Sequence, residues 1–502
     1  MGNVHLIFLT LISCGAGIIL IPFLPSRMKS ALSFILVLIN AIATSVPAIQ
    51  SLTGNTMEIH LNGISFFNDI LLKTDALSAW FILIINLTCI NGALYGIGYM
   101  KPYEEQKGNS SLHWILFVIF HSSMLWICLL QHGLAFLIAW EIMSLSSLLL
   151  VMFEHTKTDV LKTGVNYLVQ MHIAVVFLSI AFIWIYFSEG TFDFNAIASF
   201  FYHHRAGRLF LLFFLGFGIK AGFIPLHTWL PHAHPAAPSH ISGVMSGVIV
   251  KMGIYGIFRV LTYLQTDLLR IGEVILILSV LTAFYGILNA SVHRDFKRML
   301  AFCTIENIGI IGIGIGLGMI GKGTGNHFIT FIGFAGALLH VLNHSLYKSL
   351  LFFSTGNIYQ QTHTRNMEHL GGLIKKMPAT AFLFLAGALA ISGLPPFNGF
   401  VSEFLIYSGL IEGIKSDNIQ FSSLMILCVS GLALVGSSSI LTFTKSFGII
   451  FLGSPRTEIV HEPKEVSFIM RPAFIYYRIH HALNRYFSKH DFESCFFHYW
   501  CI

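Results

Sequence analysis

Gly218-Ile219-Lys220-Ala221-Gly222-Phe223-Ile224-Pro225-Leu226-His227-Thr228-Trp229-Leu230-Pro231 lies in an apolar run long enough to cross a membrane, yet it holds a lysine and two prolines, with Pro235 and Pro238 close behind. Proline removes a backbone donor and interrupts the helical ladder. A lysine within hydrocarbon costs about 2.5–3.5 kcal/mol on insertion scales. A helix that only anchors a chain has no use for either. A second stretch, Gly393-Leu394-Pro395-Pro396-Phe397-Asn398-Gly399, breaks another apolar run just before Glu403. Interrupted helices at corresponding places in two halves of a membrane protein point to a transport pathway near the midplane. The released backbone groups are tolerated only inside protein or beside water.

The rest of the chain fits this reading. Of its 502 residues 55% are hydrophobic and only 10% charged, too little charge to cover a soluble domain of this size. Spanning a hydrocarbon core of about 30 Å takes about 20 apolar residues. Such runs fall near 4–24, 30–52, 75–98, 112–130, 132–153, 163–187, 208–230, 239–264, 269–291, 297–320, 327–353, 379–412 and 421–450. They lack the alternation of barrel strands. The expected fold is therefore an all-α polytopic membrane protein of about 13 transmembrane helices. Each break occupies the fourth span of a run of five, which predicts two pseudo-symmetric five-helix repeats containing broken helices. The predicted organisation is N-terminal helices 1–3 over residues 1–111, a first repeat over 112–264, a second over 265–450, and a polar tail over 451–502. Residues 53–74 alternate around Met57-Glu58-Ile59-His60-Leu61 and Ile64-Ser65-Phe66-Phe67, with Asn62-Gly63 between, which predicts a hairpin on the outer face.

The net charge of +6 reports topology rather than nucleic-acid binding. With the N-terminus outside, Arg27, Lys29, Lys101, Lys107, Lys157, Lys162, Arg294, Lys297, Arg298, Arg365, Lys375 and Lys376 all fall in loops on the inner face, as the positive-inside rule requires. The seven cysteines are scattered without CxxC pairs, so no metal or redox cofactor is expected in this chain. Leu11-Ile12-Ser13-Cys14 resembles a lipoprotein cleavage box, but no Lys or Arg precedes it, and an uncleaved first helix is expected. Gly316-Leu317-Gly318-Met319-Ile320-Gly321 matches a dinucleotide fingerprint without the strand that must precede one; close helix packing through Gly312 and Gly316 explains it better.

Ionisable residues inside the spans are the candidate site. Glu141 falls mid-span; Lys220 precedes the first break; Lys251 sits in Val250-Lys251-Met252-Gly253; His340, His344 and Lys348 recur at four-residue spacing and so share one helical face; Glu403 follows the second break. Static ion pairs holding a scaffold together are the plain alternative. Burial disfavours the charged form of such groups and an opposite charge favours it, so moving a neighbour switches proton affinity. A row of them joined by water forms a relay. His227, His232, His234 and His240 crowd the first break, but the prolines misdirect their side chains and no Cys or carboxylate completes a zinc set, so polar lining of a half-channel near the inner face is expected instead. Glu306, Glu154 and Lys445 fall near predicted span ends and read as interface charges.

Over about residues 75–450 the chain resembles the antiporter-like subunits shared by respiratory complex I, membrane-bound hydrogenases and multisubunit sodium/proton antiporters. The resemblance rests on Phe223-Ile224-Pro225-Leu226-His227-Thr228-Trp229-Leu230-Pro231, on Ala233-His234-Pro235-Ala236-Ala237-Pro238-Ser239-His240, and on His344-Ser345-Leu346-Tyr347-Lys348-Ser349-Leu350-Leu351-Phe352. Ile305-Glu306-Asn307-Ile308-Gly309, Leu370-Gly371-Gly372-Leu373 and Leu394-Pro395-Pro396-Phe397-Asn398-Gly399-Phe400-Val401-Ser402-Glu403 look most like the large antiporter-like subunit of hydrogenase-4 and formate hydrogenlyase. The resemblance implies a proton-translocating subunit of a larger complex in a bacterial or archaeal plasma membrane. Glu141 would pair with Lys220 as the intake switch of one half-channel. Lys251 would pass protons toward His340, His344 and Lys348, with Glu403 at the exit of the second. Energy would come from partner subunits carrying iron–sulfur and nickel–iron centres, or from a quinone-reducing arm in the alternative, a subunit of NADH-quinone oxidoreductase or of a sodium/proton antiporter. Such relatives usually continue with further helices, whereas residues 463–502 are rich in His and aromatic residues, with Arg471, Arg478, Arg485 and Lys489 breaking every run. No span is expected there, and an altered C-terminus would bear on assembly.

Overall fold

Long apolar runs in this chain become helices because a helix satisfies every backbone group within its own segment, which hydrocarbon demands. The computed structural model describes residues 2–62, 69–105, 107–457 and 462–471. It places α1 over Gly2–Leu20, α2 over Ser26–Leu52, α3 over Ala76–Tyr99, α4 over Lys107–Leu129, α5 over Gly133–Val151, α6 over Thr158–Glu189, α7 over Asn195–His203, α8 over Ala206–Ala221 and α9 over Leu230–Ala236. Then follow α10 (Ser239–Val244), a π turn (Met245–Ile249), α11 (Val250–Tyr263), α12 (Leu268–Val292), α13 (Phe296–Thr324), α14 (His327–Thr362), α15 (Pro378–Ile391), α16 (Asn398–Ile414) and α17 (Ile419–Phe451). Among the described residues, eleven helical segments are long and apolar enough to cross a membrane. The predicted spans 208–230 and 379–412 are not among them, because each is divided at its prolines, into α8 and α9 and into α15 and α16.

The chain divides into two compact units, residues 1–222 with 226–266, and residues 223–225 with the chain from Asp267 onward. In the first, α2 lies along α3, α4 along α5, and α8 between α6 and α11. In the second, α13 is flanked by α12 and α14, and α14 runs along α15 and α16. The small-residue face of α13 lets α12 approach to backbone contact: a Cβ on Gly316 would lie 2.7 Å from the Leu276 amide nitrogen. Those glycines therefore serve packing, as the sequence suggested.

The helix ends follow local rules. Asp75, Asp295, Asn326 and Asn418 each accept backbone amides at the start of a helix. The expected hairpin is present as β1 (Met57–Leu61) antiparallel to β2 (Ile70–Thr74), with Leu61 opposite Ile70. The stretch that follows Asn62, with Gly63 and the expected strand residues Ile64–Phe67, lies outside the described residues. The tail is also more engaged than its polarity implied. The Glu465 carboxylate accepts the Ala379 and Thr380 amides at 2.8 and 3.1 Å, capping the start of α15, and the amide group of Asn357 donates to the Met470 carbonyl at 3.4 Å. Residues 472–502, including most of the tail, lie outside the described residues.

One buried ion pair ties α3 to α11. The Arg259 guanidinium grips Asp75 with two hydrogen bonds, of 2.5 and 2.9 Å, and also donates to Ser78 Oγ at 2.8 Å. Tyr255 OH and Ser78 Oγ in turn donate to the Cys128 carbonyl. Asp75 lies just before the span that opens at Ala76. Burial raises its carboxyl, but the charge and hydrogen bonds of Arg259 outweigh that and hold it at about 2. The folded value is below the unfolded one of 3.8, so the pair stabilises fully above that pH and fades as pH falls toward 2. Arg259→Ala is expected to cost about 3 kcal/mol or more by leaving a buried carboxylate unpaired, whereas Asp75→Asn should cost less as pH falls from 4 to 2. Thermal unfolding of the detergent-solubilised chain over that range checks both.

Candidate functional site

In the first unit, Lys220 occupies the last turn of α8, and the helix stops there because Gly222 takes a left-handed conformation at φ +88°. A side chain at that position would also meet Leu230 Cδ1 at 2.3 Å. The break leaves the Ile219 carbonyl available, and the Trp229 indole donates to it at 2.7 Å. Lys220 is fully buried. Its amine donates to Ser144 Oγ at 3.2 Å on α5, and to Tyr167 OH at 3.4 Å and Met171 Sδ at 3.3 Å on α6. It also lies 6.0 and 5.6 Å from the ring centroids of Trp140 and Tyr167, within cation–π range.

Glu141 acts electrostatically on Lys220, but among the described residues no salt bridge joins them. The direct pair expected from the resemblance is not formed. The reason lies in the face of α5: Glu141 borders the outward stripe Ile138, Ile142, Leu145 and Leu149, whereas Ser144 turns toward Lys220. One Glu141 carboxylate oxygen is buried without a hydrogen-bond partner among the described residues.

Lys251 is buried two residues after the π turn closes at Ile249, and its amine donates to the Ser246 carbonyl inside that turn. A π turn loosens the regular ladder and frequently marks a functional site. The histidines of the first break do not converge. His232 is exposed, His227, His234 and His240 are buried, and no group of three or more His, Cys, Asp or Glu side chains among the described residues could hold a metal ion. His240 instead faces His113 on α4.

In the second unit a polar network crosses α13, α14 and α16. His340 Nδ1 lies 2.9 Å from Ser402 Oγ, and its Nε2 lies 3.0 Å from Asn307 Oδ1. Tyr347 OH donates to the same Asn307 oxygen at 2.5 Å. The Asn343 amide group donates to Ser402 Oγ at 3.0 Å and to the Asn398 carbonyl at 2.7 Å, the latter a backbone group at the second break. His344 is buried with its ring 5.6 Å from that of Tyr347. One turn on, the Lys348 amine donates to the Leu300 carbonyl at 2.7 Å. All three residues are inside, as is every residue from Ala335 to Ile358, so burial here belongs to the whole middle of α14 and not to one face of it. At the second break Gly393 is left-handed at φ +62°, and the Glu403 carboxylate lies over it, 2.6 Å from where a Cβ would stand.

Glu306 is the residue that sequence reasoning undervalued. It is buried in α13, acts electrostatically on Lys348, and feels Glu403. The signal was available: position 306 is ten residues into a helix that starts at Phe296, about 15 Å of rise, too deep for an interface charge. The Asp75–Arg259 pair had no sequence signal, because 184 residues separate its partners.

A model of the family described as NADH:quinone oxidoreductase/Mrp antiporter, transmembrane, matches residues 131–432. Hydrogenase-4 component B of Escherichia coli (strain K12) is 39% identical over 413 residues, covering 82% of this chain and 61% of that protein. Formate hydrogenlyase subunit 3 of the same organism is 39% identical over 250 residues, 50% of this chain and 41% of that one. The chain thus spans less than two thirds of the length of either relative. Among solved structures, the Mrp complex from Dietzia sp. DQ12-45-1b superposes with a TM-score of 0.81 at 20% identity, covering 96% of this chain and 95% of the other, and shows the same fold.

Asn307→Leu keeps the bulk of the side chain but removes the acceptor shared by Tyr347 OH and His340 Nε2, leaving them only each other at 3.3 Å. A loss of about 1 kcal/mol is expected from the lost hydrogen bonds, read as a lower unfolding midpoint of the full chain in detergent.

Proposed function

We propose that this chain, which belongs to the NADH:quinone oxidoreductase/Mrp antiporter transmembrane family, translocates protons as an antiporter-like subunit of a hydrogenase-4 or formate hydrogenlyase type complex. The observation that carries the proposal is the setting of its buried amines. Lys220 rests on a hydroxyl, a phenol and a thioether, and Lys348 on a backbone carbonyl. All four partners are neutral, so each amine can hold or release a proton without breaking an ion pair. Glu141 acts on the first at a distance and Glu306 on the second. A conformational change that brings a carboxylate closer favours the protonated amine, and one that withdraws it favours release.

A scaffold held together by static ion pairs would place carboxylates against these lysines. Among the described residues neither Lys220 nor Lys348 makes a salt bridge, whereas Arg259 and Asp75 show what a static buried pair looks like in this chain. A buried amine also argues for protons over sodium, since an ammonium repels a metal cation and has no oxygen to offer it. Glu141, Lys220 and Lys251 would serve one half-channel, and His340, His344, Lys348 and Glu403 the other, with Glu306 added to the second. Energy would be supplied by partner subunits with iron–sulfur and nickel–iron centres in the plasma membrane of a bacterium or archaeon. The family description favours a second reading, a subunit of NADH-quinone oxidoreductase or of a multisubunit sodium/proton antiporter. A nickel–iron large-subunit gene beside this one would separate the two.

Lys220→Ala and Lys348→Ala are each expected to reduce proton accumulation in inverted membrane vesicles by at least tenfold. Lys220→Arg should fail as well, because arginine keeps the charge but does not release its proton at working pH. Wild-type proton accumulation in both alanine variants would defeat the proposal.

A further inference from the structure

The first unit contains a second set of titratable groups away from its lysines. His113, near the start of α4, and His240, at the start of α10, are both buried, and their Nε2 atoms lie 2.8 Å apart. Two imidazoles can approach so closely only if one nitrogen carries the hydrogen and the other accepts it. Their surroundings are aromatic: His240 stacks on Trp114 at 6.0 Å and lies beside Tyr99 and Phe117, and His113 meets the edge of Phe153 at 5.0 Å. Gly96 makes room for the pair, since a Cβ there would lie 3.1 Å from His240 Cδ2 and 2.9 Å from Trp114 Cη2. His113 Nδ1 is buried with no hydrogen-bond partner among the described residues.

Two neutral histidines packed only for bulk need no such juxtaposition. Leucine or phenylalanine would fill the volume without two buried imidazoles to satisfy. The pair also lies at the end of the unit where the loop with Lys101, assigned to the inner face, joins α3 to α4. Glu154, which follows Phe153, sits at that same end and is joined to Lys157 and to Tyr103 OH. Among groups nearby, Tyr99 OH accepts from Ser239 Oγ at 3.4 Å, Lys29 donates to Ser111 on the same helix as His113, and His121 two turns on is held by Asn86. His240 opens the segment that continues through the π turn to Lys251, eleven residues later, about 16 Å of helix rise.

We propose that His113 and His240 form a proton-transfer pair that feeds the first half-channel from the inner face toward Lys251, an inference that rests on the translocation reading above. A proton arriving at His113 Nδ1 makes that ring an imidazolium. Its Nε2 proton crosses the 2.8 Å hydrogen bond to His240 Nε2, and His240 releases the proton on its own Nδ1. One proton is taken up and one given out, and no electron moves. The hydrogen bond then runs in the opposite sense, and tautomer exchange of the two rings restores it.

The test uses the full chain in lipid bilayers, with ¹⁵N-labelled histidine, and inverted vesicles containing the same variants. Wild type should show a nitrogen–nitrogen coupling across a shared proton in magic-angle-spinning spectra, and His113→Gln or His240→Gln should each remove it. Each glutamine variant, present in the membrane at wild-type level, should slow proton accumulation at least fivefold, and the double variant should be no slower than either single, because the two rings act as one unit. Gly96→Ala, which leaves every titratable group in place but presses on the His240 ring, should weaken both signals. The pair is refuted if the coupling is absent from wild type. It is also refuted if both glutamine variants accumulate protons at the wild-type rate while Lys220→Ala does not. Wild-type accumulation in Lys220→Ala and Lys348→Ala would remove the translocation reading itself, and the feeding role with it.

Discussion

A backbone or side-chain polar group released inside hydrocarbon must find a partner within the protein, and most of what is distinctive about this chain follows from that constraint. Among the described residues eleven helical segments meet it by being long and apolar, one of them through the π turn at Met245–Ile249. Two others are cut by proline, and the groups they release are taken up locally. The Trp229 indole closes on the Ile219 carbonyl at the first break, and Asn343 on the Asn398 carbonyl at the second. The same tryptophan that lies in the broken segment therefore repairs it. The breaks persist as defined structures beside Lys220 and Glu403, instead of collapsing into disordered backbone.

The buried charges sort into two kinds by their partners. Arg259 and Asp75 form a bidentate pair whose members satisfy each other, the arrangement expected of a fixed structural link between helices. Lys220 and Lys348 end on neutral oxygens and sulfur, with carboxylates acting from further away. Such an amine is not locked into one charge state by a carboxylate in direct contact. The contrast within one chain is a stronger argument for proton handling than the mere presence of charge in the membrane, because it lies in what each group contacts.

Each unit holds its polar groups in its own way. In the first, a lysine at a helix end is caged by α5 and α6, and a second follows a π turn. In the second, histidine, asparagine, tyrosine and serine are bonded into a network before the lysine is reached. Asn307 is shared by His340 and Tyr347, so it fixes the orientation of both rings. That degree of preorganisation suits groups that exchange protons, where a misplaced donor breaks the chain of hydrogen bonds.

The sequence alone determined that the chain crosses the membrane many times, where its two interrupted spans fall, and that His340, His344 and Lys348 share one helical face. Hydrophobic run length, proline chemistry and helical periodicity are local properties, and lipid permits few alternatives. What only the tertiary structure decided is which groups meet. Asp75 and Arg259 are 184 residues apart, and His113 and His240 are 127 apart, so no local pattern joins them. Glu306 is a different case: the predicted span at 297–320 already put it nine residues deep, and the structure adds only its neighbours Lys348 and Glu403. Glu141 and Lys220 looked like an ion pair until the outward-facing stripe of α5 placed the carboxylate at its edge. Rotation of a helix about its own axis is set by packing against its neighbours, and that rotation, invisible in one dimension, separates a salt bridge from an interaction at a distance.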